Sequence, residues 1–166
     1  STDHNVMRPS MLETGLESVA YNLNRKNNSL RFFEFGKTYS TQGPGKYNET
    51  DHLCLYVTGN SSEDSWKGKG IIADLYYMKG VIARLLQLLG LKNLTWEKGS
   101  NPKLQSALRV SSGRNLICEL GMIHVNELRI FDIKQAVLYG DFNWELILNL
   151  VQKNELKAAE LPKQLP

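Results

Sequence analysis

His52 and Cys54 are the residues of this chain whose types and spacing first suggest a metal site. Residues two apart on a β-strand project from the same face, so this pair could offer two ligands to one ion. Zinc in proteins takes three or four such ligands, and no other histidine or cysteine lies near the pair in the sequence. We therefore interpret them as a strand histidine and a packed thiol, and predict no metal site.

Motifs for covalent catalysis and for phosphate binding are missing from the sequence. It contains no GxSxG, no GxxxxGK[ST] and no GxGxxG, which excludes the common nucleophile elbow and nucleotide-binding loops. Gly68-Lys69-Gly70 is basic and glycine-rich, but such a run is typical of an ordinary loop. A Ser–His–Asp assembly stays open, because its members converge in space rather than along the chain. We predict no catalytic and no cofactor-binding residues.

The run from Arg31 to Lys37 interleaves aromatic and charged residues in the order RFFEFGK. Aromatic side chains beside basic ones can stack on the bases of single-stranded RNA. The RNP1 signature has a glycine between its basic and aromatic residues, whereas Arg31 is followed directly by Phe32. A core-facing strand is therefore the better interpretation. A net charge of +3 without a basic cluster also argues against a nucleic-acid-binding protein.

The length of 166 residues corresponds to one compact domain. Hydrophobic residues make up 42% and charged residues 22%, which excludes a disordered chain. No apolar run approaches the ~20 residues that span a bilayer, and Ser1–Asn5 lacks the basic and apolar regions of a signal peptide. Cys54 and Cys118 form no disulfide pattern. We therefore predict two buried free thiols, no membrane segment and a cytoplasmic protein.

Two helices are predicted from periodicity and end signals. Ser10 and Glu13 form a capping box in which the Ser10 hydroxyl accepts from the Glu13 N–H, and apolar residues recur from Leu12 to Leu23 on one face. Gly15 inside this helix indicates close packing. A second helix runs from an N-cap at Asp74 to Gly90.

The remaining segments predict an antiparallel sheet. Leu30–Tyr39 and Asp51–Gly59 alternate as two strands joined by the polar loop Gln42–Lys46, which favours a hairpin. Further strands are predicted at Leu94–Glu97, Leu108–Ser111, Leu116–Leu120 and Ala136–Ile147, and short helices at Lys103–Ala107 and Asn126–Asp132. Such a mixture indicates an α+β fold. The tail Lys153–Pro166 has the composition of a linker.

Six segments in order resemble the beta subunit of bacterial-type phenylalanyl-tRNA synthetase, whose run reads roughly LRPSLL, AYNLNR, LRLFEIGR, DFFDLKG, HPGRSA and LGELHP. The corresponding segments here are Met7–Leu12, Ala20–Arg25, Leu30–Lys37, Asp74–Gly80, Asn101–Ala107 and Leu120–His124. The resemblance covers nearly the whole chain.

The resemblance implies a class II aminoacyl-tRNA synthetase-like α+β fold, an antiparallel sheet flanked by helices. Residues 1–152 would be a catalytic-like module that has lost catalysis, near the C-terminal half of the subunit. Residues 153–166 would be a linker toward an anticodon-binding domain that is missing from the chain. The earlier modules of the subunit, including the editing module, would be missing as well. In the family, the alpha subunit makes phenylalanyl-adenylate from ATP with Mg²⁺ and charges tRNA-Phe.

The family also implies the partner. Its beta module packs against the alpha subunit in an (αβ)₂ heterotetramer, and tRNA-Phe binds the whole complex. Class II folds dimerise through a helix and a strand that correspond here to Ser10–Arg25 and Leu30–Tyr39. We therefore expect these two elements to contact the alpha subunit.

The sequence departs from the family pattern at three places. Tyr77 replaces the acid of DLKG, Val125 replaces the proline after the histidine, and Asn101–Leu104 replaces the His-Pro-Gly-Arg run. These departures loosen any individual contact carried over from the family without disturbing a scaffold role.

Two arginines hold ATP in a class II site, one on a hairpin and one at the start of a late helix after a glycine-rich strand. Arg31 lies near the first place, and Gly121–Asn126 supplies no arginine at the second. We therefore predict that Arg31 is not an ATP ligand and that this chain itself needs no cofactor. An independent nucleotide-binding or small-ligand-binding domain is the alternative, and a single-strand RNA binder is the weakest hypothesis.

Overall fold

The computed structural model describes residues 10–60 and 73–160. Within these ranges the helices are α1 (Leu12–Asn24), α2 (Leu75–Leu88), α3 (Val125–Ile130) and α4 (Trp144–Glu160). The strands are β1 (Leu30–Gly43), β2 (Lys46–Thr58), β3 (Leu94–Lys98), β4 (Leu104–Ser112), β5 (Asn115–Ile123) and β6 (Val137–Asn143). In the described part of the chain, no helix is long and apolar enough to cross a membrane.

The strands form one antiparallel sheet in the order β1-β2-β6-β5-β4-β3. Helices cover both faces of this sheet, which confirms the predicted α+β class. Strands β1 and β2 pair as the predicted hairpin. One core lies between the sheet and helices α2 and α4, where Leu55, Ile82 and Ile147 are buried. The second core includes residues of α1 and α3 on the other face, such as Leu16, Tyr56 and Leu128.

Helix α1 packs closely on the Tyr56 side chain of the sheet, and only glycine fits at the point of contact. The ring of Tyr56 lies so close that a Cβ placed on Gly15 would be 1.8 Å from the Tyr56 Cζ atom. The predicted close packing at this glycine is therefore confirmed. The cap differs from the prediction, because Ser10 Oγ accepts from the Leu12 N–H at 3.1 Å rather than from the Glu13 N–H.

Helix α2 begins and ends where its sequence signals predict. The Asp74 carboxylate accepts from the Tyr77 N–H at 2.8 Å, which satisfies a donor of the first turn. Gly90 has a positive φ of 78°, and the Leu91 N–H donates to the Leu86 carbonyl at 3.1 Å. This is the left-handed helix end that glycine accommodates without strain.

Two predicted elements are wrong, and each for a local reason. Residues 103–107 do not form a helix, because β4 begins at Leu104 and is bulged next to Ser106, whose φ is 57°. The strand predicted to reach Ile147 ends at Asn143, whose side chain accepts from the Leu146 N–H at 3.2 Å. That contact starts α4, which continues through residues 153–160, where we expected a linker.

Strand β1 is the edge of the sheet, and its aromatic residues divide between the two faces. Phe32 stacks on Tyr56 with ring centroids 5.0 Å apart. Phe33 and Phe35 are 51% and 65% exposed, so the prediction that this aromatic run faces the core is wrong for both. Their exposure follows from the edge position, because the helices over the sheet cover its central strands most fully.

Candidate functional site

Three polar side chains meet on the α1 face of strands β1, β2 and β6. His52 Nε2 lies 2.7 Å from Thr38 Oγ1, and His52 Nδ1 lies 2.6 Å from Asp141 Oδ1. The register explains the meeting, since His52 is paired with Gly36 on one side and Asn143 on the other. Its polar contacts are therefore diagonal neighbours on the same face of the sheet.

The direction of these hydrogen bonds follows from the groups themselves. An ionised carboxylate can only accept, so His52 donates its Nδ1–H to Asp141. In a neutral imidazole the other nitrogen is an acceptor, and the Thr38 hydroxyl then donates to it. This order of hydroxyl, imidazole and carboxylate is that of an acyl-transfer relay, the assembly that the sequence left open.

The relay has poor access for a substrate. Thr38 is only 9% exposed and lies within a strand that pairs with β2 along its length. A nucleophile must reach an acyl carbon and needs donors aimed at the developing oxyanion. We interpret the hydrogen bonds among Thr38, His52 and Asp141 as structural: they link the side chains of β1, β2 and the central strand β6.

Cys54 extends this cluster but adds no metal site. Its Sγ atom lies 3.5 Å from Tyr139 Oη and 3.6 Å from Asp141 Oδ1. Burial, with help from the Asp141 charge, raises the pKa of the Cys54 thiol, so the thiol stays protonated and donates to the carboxylate. Within residues 10–60 and 73–160, no three His, Cys, Asp or Glu side chains are arranged to hold a metal ion. Both cysteines are free and buried, as predicted.

Arg31 lies on the opposite face from the His52 cluster. It is paired in register with Val57, which belongs to the core under α2 and α4. Its Nη1 atom donates to Tyr77 Oη at 2.8 Å. Tyr77 is the residue that replaces an acid of the family pattern, so this departure supplies the partner of Arg31. The structure therefore does not bring Arg31 together with the cluster.

The other candidates have local roles or lie elsewhere. His124 caps α3, because its Nδ1 accepts from the Asn126 N–H at 3.2 Å. Arg129 is exposed in the last turn of the same helix. Gly68-Lys69-Gly70 lies outside the described residues.

The segment Gly121–Asn126, which joins β5 to α3, was considered from the sequence alone, but the junction between β6 and α4 was missed. Strand β6 contains Gly140 and leads directly into the long helix α4 at Trp144. Between Lys134 and Lys153 the sequence has no lysine or arginine. The signal that could have revealed the junction is Asn143, a good helix N-cap residue after an apolar strand. Neither this junction nor the Gly121–Asn126 segment carries an arginine.

Comparison with known proteins gives the family. The family model of the phenylalanyl tRNA synthetase beta chain CLM domain matches residues 1–144. The chain belongs to this family. A phenylalanine–tRNA ligase beta subunit from Bacteroides thetaiotaomicron is 34% identical over 174 aligned residues, which cover 98% of this chain. The corresponding subunit from Lactobacillus acidophilus is 28% identical over 98% of the chain. The chain spans about a fifth of the length of these relatives, 21% in both cases.

Solved structures agree on the fold. A pyrrolysyl-tRNA synthetase from Desulfitobacterium hafniense superimposes with a TM-score of 0.64 and 21% identity, over 88% of this chain and 50% of its own. A second structure of that synthetase gives a TM-score of 0.63 over the same shares. The class II synthetase-like fold expected for this member of the phenylalanyl-tRNA synthetase beta chain family is thereby confirmed.

Proposed function

We propose that this chain is a non-catalytic structural module near the C-terminal half of a phenylalanine–tRNA ligase beta subunit. It supports the alpha subunit, which ligates phenylalanine to tRNA-Phe with ATP and Mg²⁺ in a cytoplasmic (αβ)₂ heterotetramer. The module comprises residues 1–152, and residues 153–166 lead toward an anticodon-binding domain. In this proposal no residue of the chain is catalytic, and none binds a cofactor or a metal ion.

The observation that carries the non-catalytic role is the missing cation at the β6–α4 junction. Adenylate formation stabilises negative charge on the triphosphate, and cations supply most of that stabilisation. From Gln135 to Gln152 the chain offers none, and Asp141 adds a negative charge there. Arg31, the cation considered for the hairpin, donates a hydrogen bond to the Tyr77 hydroxyl.

Exposed aromatic residues on α1 and β1 support these elements as contacts for the alpha subunit. Tyr21 on α1 is 58% exposed and carries the Arg25 guanidinium 4.7 Å above its ring. On β1, Phe35 is 65% exposed and meets the Trp144 ring edge-on at 5.7 Å. Aromatic and arginine side chains are enriched at protein interfaces, and exposed apolar patches mark them.

Co-expression with the cognate alpha subunit tests the contact. The full-length beta subunit should lose co-purified alpha subunit when Phe35→Ser is introduced. Tyr47→Ser is the matched control, because Tyr47 has the same 65% exposure but lies near the hairpin turn, outside α1 and β1. Equal recovery of alpha subunit with both variants would remove β1 from the proposed contact.

Ligand binding tests the non-catalytic role separately. Calorimetry of the 166-residue chain with ATP and with phenylalanine should show no micromolar binding, and the chain should not support amino-acid-dependent exchange of pyrophosphate into ATP. Micromolar binding of either compound would favour the alternative, an independent nucleotide-binding or small-ligand-binding domain. Activation of an amino acid by the chain alone would refute the proposal.

A further inference from the structure

A pocket of about 360 Å³ lies beside α3, away from the His52 cluster and from the exposed aromatic residues of β1. Its lining includes three buried apolar side chains, Ile123, Leu128 and Ile133. The cations Arg129 and Lys134 also line it, and both are exposed to solvent. The pocket is therefore apolar in its depth and positively charged at its rim.

One wall of the pocket is fixed by hydrogen bonds centred on the buried residue Thr58. The segment from Ile133 to Ala136 passes over the end of β2, where the Thr58 hydroxyl donates to the Ala136 carbonyl at 2.6 Å. Gln135 Nε2 donates to Thr58 Oγ1 at 2.7 Å and to the Asn28 carbonyl at 2.9 Å. Thr58 is 2% exposed, so the wall is anchored to a buried side chain at the end of β2.

The opposite wall is fixed by both ends of α3. The His124 N–H donates to the Lys103 carbonyl at 2.9 Å, which joins the start of the helix to the residue just before β4. At the other end the Ile133 N–H donates to the Leu128 carbonyl at 3.0 Å, and Asp132 takes a positive φ of 56°. The chain therefore turns sharply back and directs Ile133 into the pocket, which makes the pocket preformed.

The chemistry of the lining selects a ligand class. Small-molecule sites are typically apolar pockets of about 300–1,000 Å³ with a few polar groups that fix orientation. None of the described residues that line this pocket is acidic, so the two cations have no carboxylate among the lining groups. Arginine binds a carboxylate with two parallel hydrogen bonds, and lysine adds a point charge.

We propose that this pocket binds a small carboxylate with a compact apolar body. The apolar part packs on Ile123, Leu128 and Ile133, and the carboxylate meets Arg129 and Lys134 at the rim. This site is independent of the proposed function, since neither the alpha-subunit contact nor the loss of catalysis requires it.

Methyl NMR of the 166-residue chain tests this proposal with three probes: hexanoate, 4-phenylbutyrate and 4-phenylbutyramide. We expect the two carboxylates to shift the methyl signals of Val125, Leu128 and Ile133 in a saturable manner. The amide has the same apolar body without the charge, and should bind at least several-fold more weakly. Because a hydrogen bond to a charged group contributes appreciably, Arg129→Gln should weaken carboxylate binding about tenfold.

The matched control is Arg114→Gln, which removes an exposed arginine from the β4–β5 turn. It should leave the binding of 4-phenylbutyrate unchanged. Absence of saturable shifts with both carboxylates would overturn the proposal, as would equal binding of acid and amide. Equal effects of the two arginine variants, or shifts confined to methyl groups far from α3, would overturn it as well.

Discussion

Replacement of Gly15 by alanine is the sharpest test of how α1 sits on the sheet. The new Cβ would lie 1.8 Å from Tyr56 Cζ and 2.1 Å from its Oη atom. Carbon atoms in contact are normally about 3.5–4.0 Å apart, so the ring or the helix must move by roughly 1.5–2 Å. Tyr56 is fully buried and donates to the Met11 carbonyl at 2.7 Å, so it has no free space to enter.

The expected cost combines opposing effects. Overpacking a close-packed core costs about 1–3 kcal/mol, and loss of the Tyr56 hydrogen bond adds about 1 kcal/mol. Alanine regains about 1 kcal/mol through its higher helix propensity. We expect Gly15→Ala to lower the free energy of unfolding by about 2 kcal/mol net. For a domain of this size that corresponds to a fall in Tm of roughly 4–8 °C.

Gly80→Ala is the matched control, because Gly80 is an exposed glycine inside α2 and a Cβ added to it would have no atom within 4 Å apart from its chain neighbours and the backbone of its own helix. It should raise the free energy of unfolding by up to about 1 kcal/mol. Urea unfolding followed by circular dichroism measures both variants. In a Tyr56→Leu background the penalty of Gly15→Ala should shrink by at least about 1 kcal/mol, since contacting residues are not additive. If Gly15→Ala stabilised the chain as Gly80→Ala does, the close contact would be wrong.

Three further predictions use the same unfolding assay. Asp74→Ala should lower stability by about 1 kcal/mol because it removes the N-cap of α2, whereas Asp74→Ser should retain most of it. Thr38→Val should cost about 1–3 kcal/mol, because it leaves His52 Nε2 without its hydroxyl donor, and Thr38→Ser should cost clearly less. Lys103→Met should cost about 0.5 kcal/mol at pH 7, since its ion pair with Glu13 is well exposed, and this difference should shrink as acid protonates Glu13.

The pH dependence of the last variant follows from the pKa of Glu13. Burial alone would raise that pKa, but the hydrogen bond from Lys103, helped by that from its own backbone amide, outweighs burial and holds it below its ordinary value. A carboxyl group with a lowered folded-state pKa stabilises the fold above its unfolded pKa and loses this effect as the pH falls through the folded value. A cost for Lys103→Met that persisted undiminished through the whole acid titration of Glu13 would contradict this assignment.

Elements with strong local signals could be predicted from the sequence, and those set by distant contacts could not. Helix α2 has a cap at Asp74, an apolar stripe and a glycine at its end, and its predicted bounds hold. The start of α4 was missed because Asn143 follows an alternating strand and its capping role emerges only when the strand ends. Residues 103–107 carry no strong periodicity, and the bulge at Ser106 is set by pairing with β5.

The candidate site illustrates the same limit. His52 and Cys54 were recognisable as neighbours on one strand face, but Asp141 lies 89 positions beyond His52. Only the strand order, which places β6 between β2 and β5, brings them together. The exposure of Phe33 likewise depends on β1 being an edge strand, a position that alternation along one strand does not encode.

The unequal cover of the sheet has a consequence for its motions. Strands β2 and β6 have paired neighbours on both sides and buried side chains on both faces, whereas β1 and β3 each pair with only one other strand within residues 10–60 and 73–160. Amide protons at the centre should therefore exchange with deuterium only through global unfolding, while those at the rims exchange through small local openings. The fold thus combines slowly exchanging central strands with edge strands that can adjust to a neighbouring molecule at a small cost in free energy.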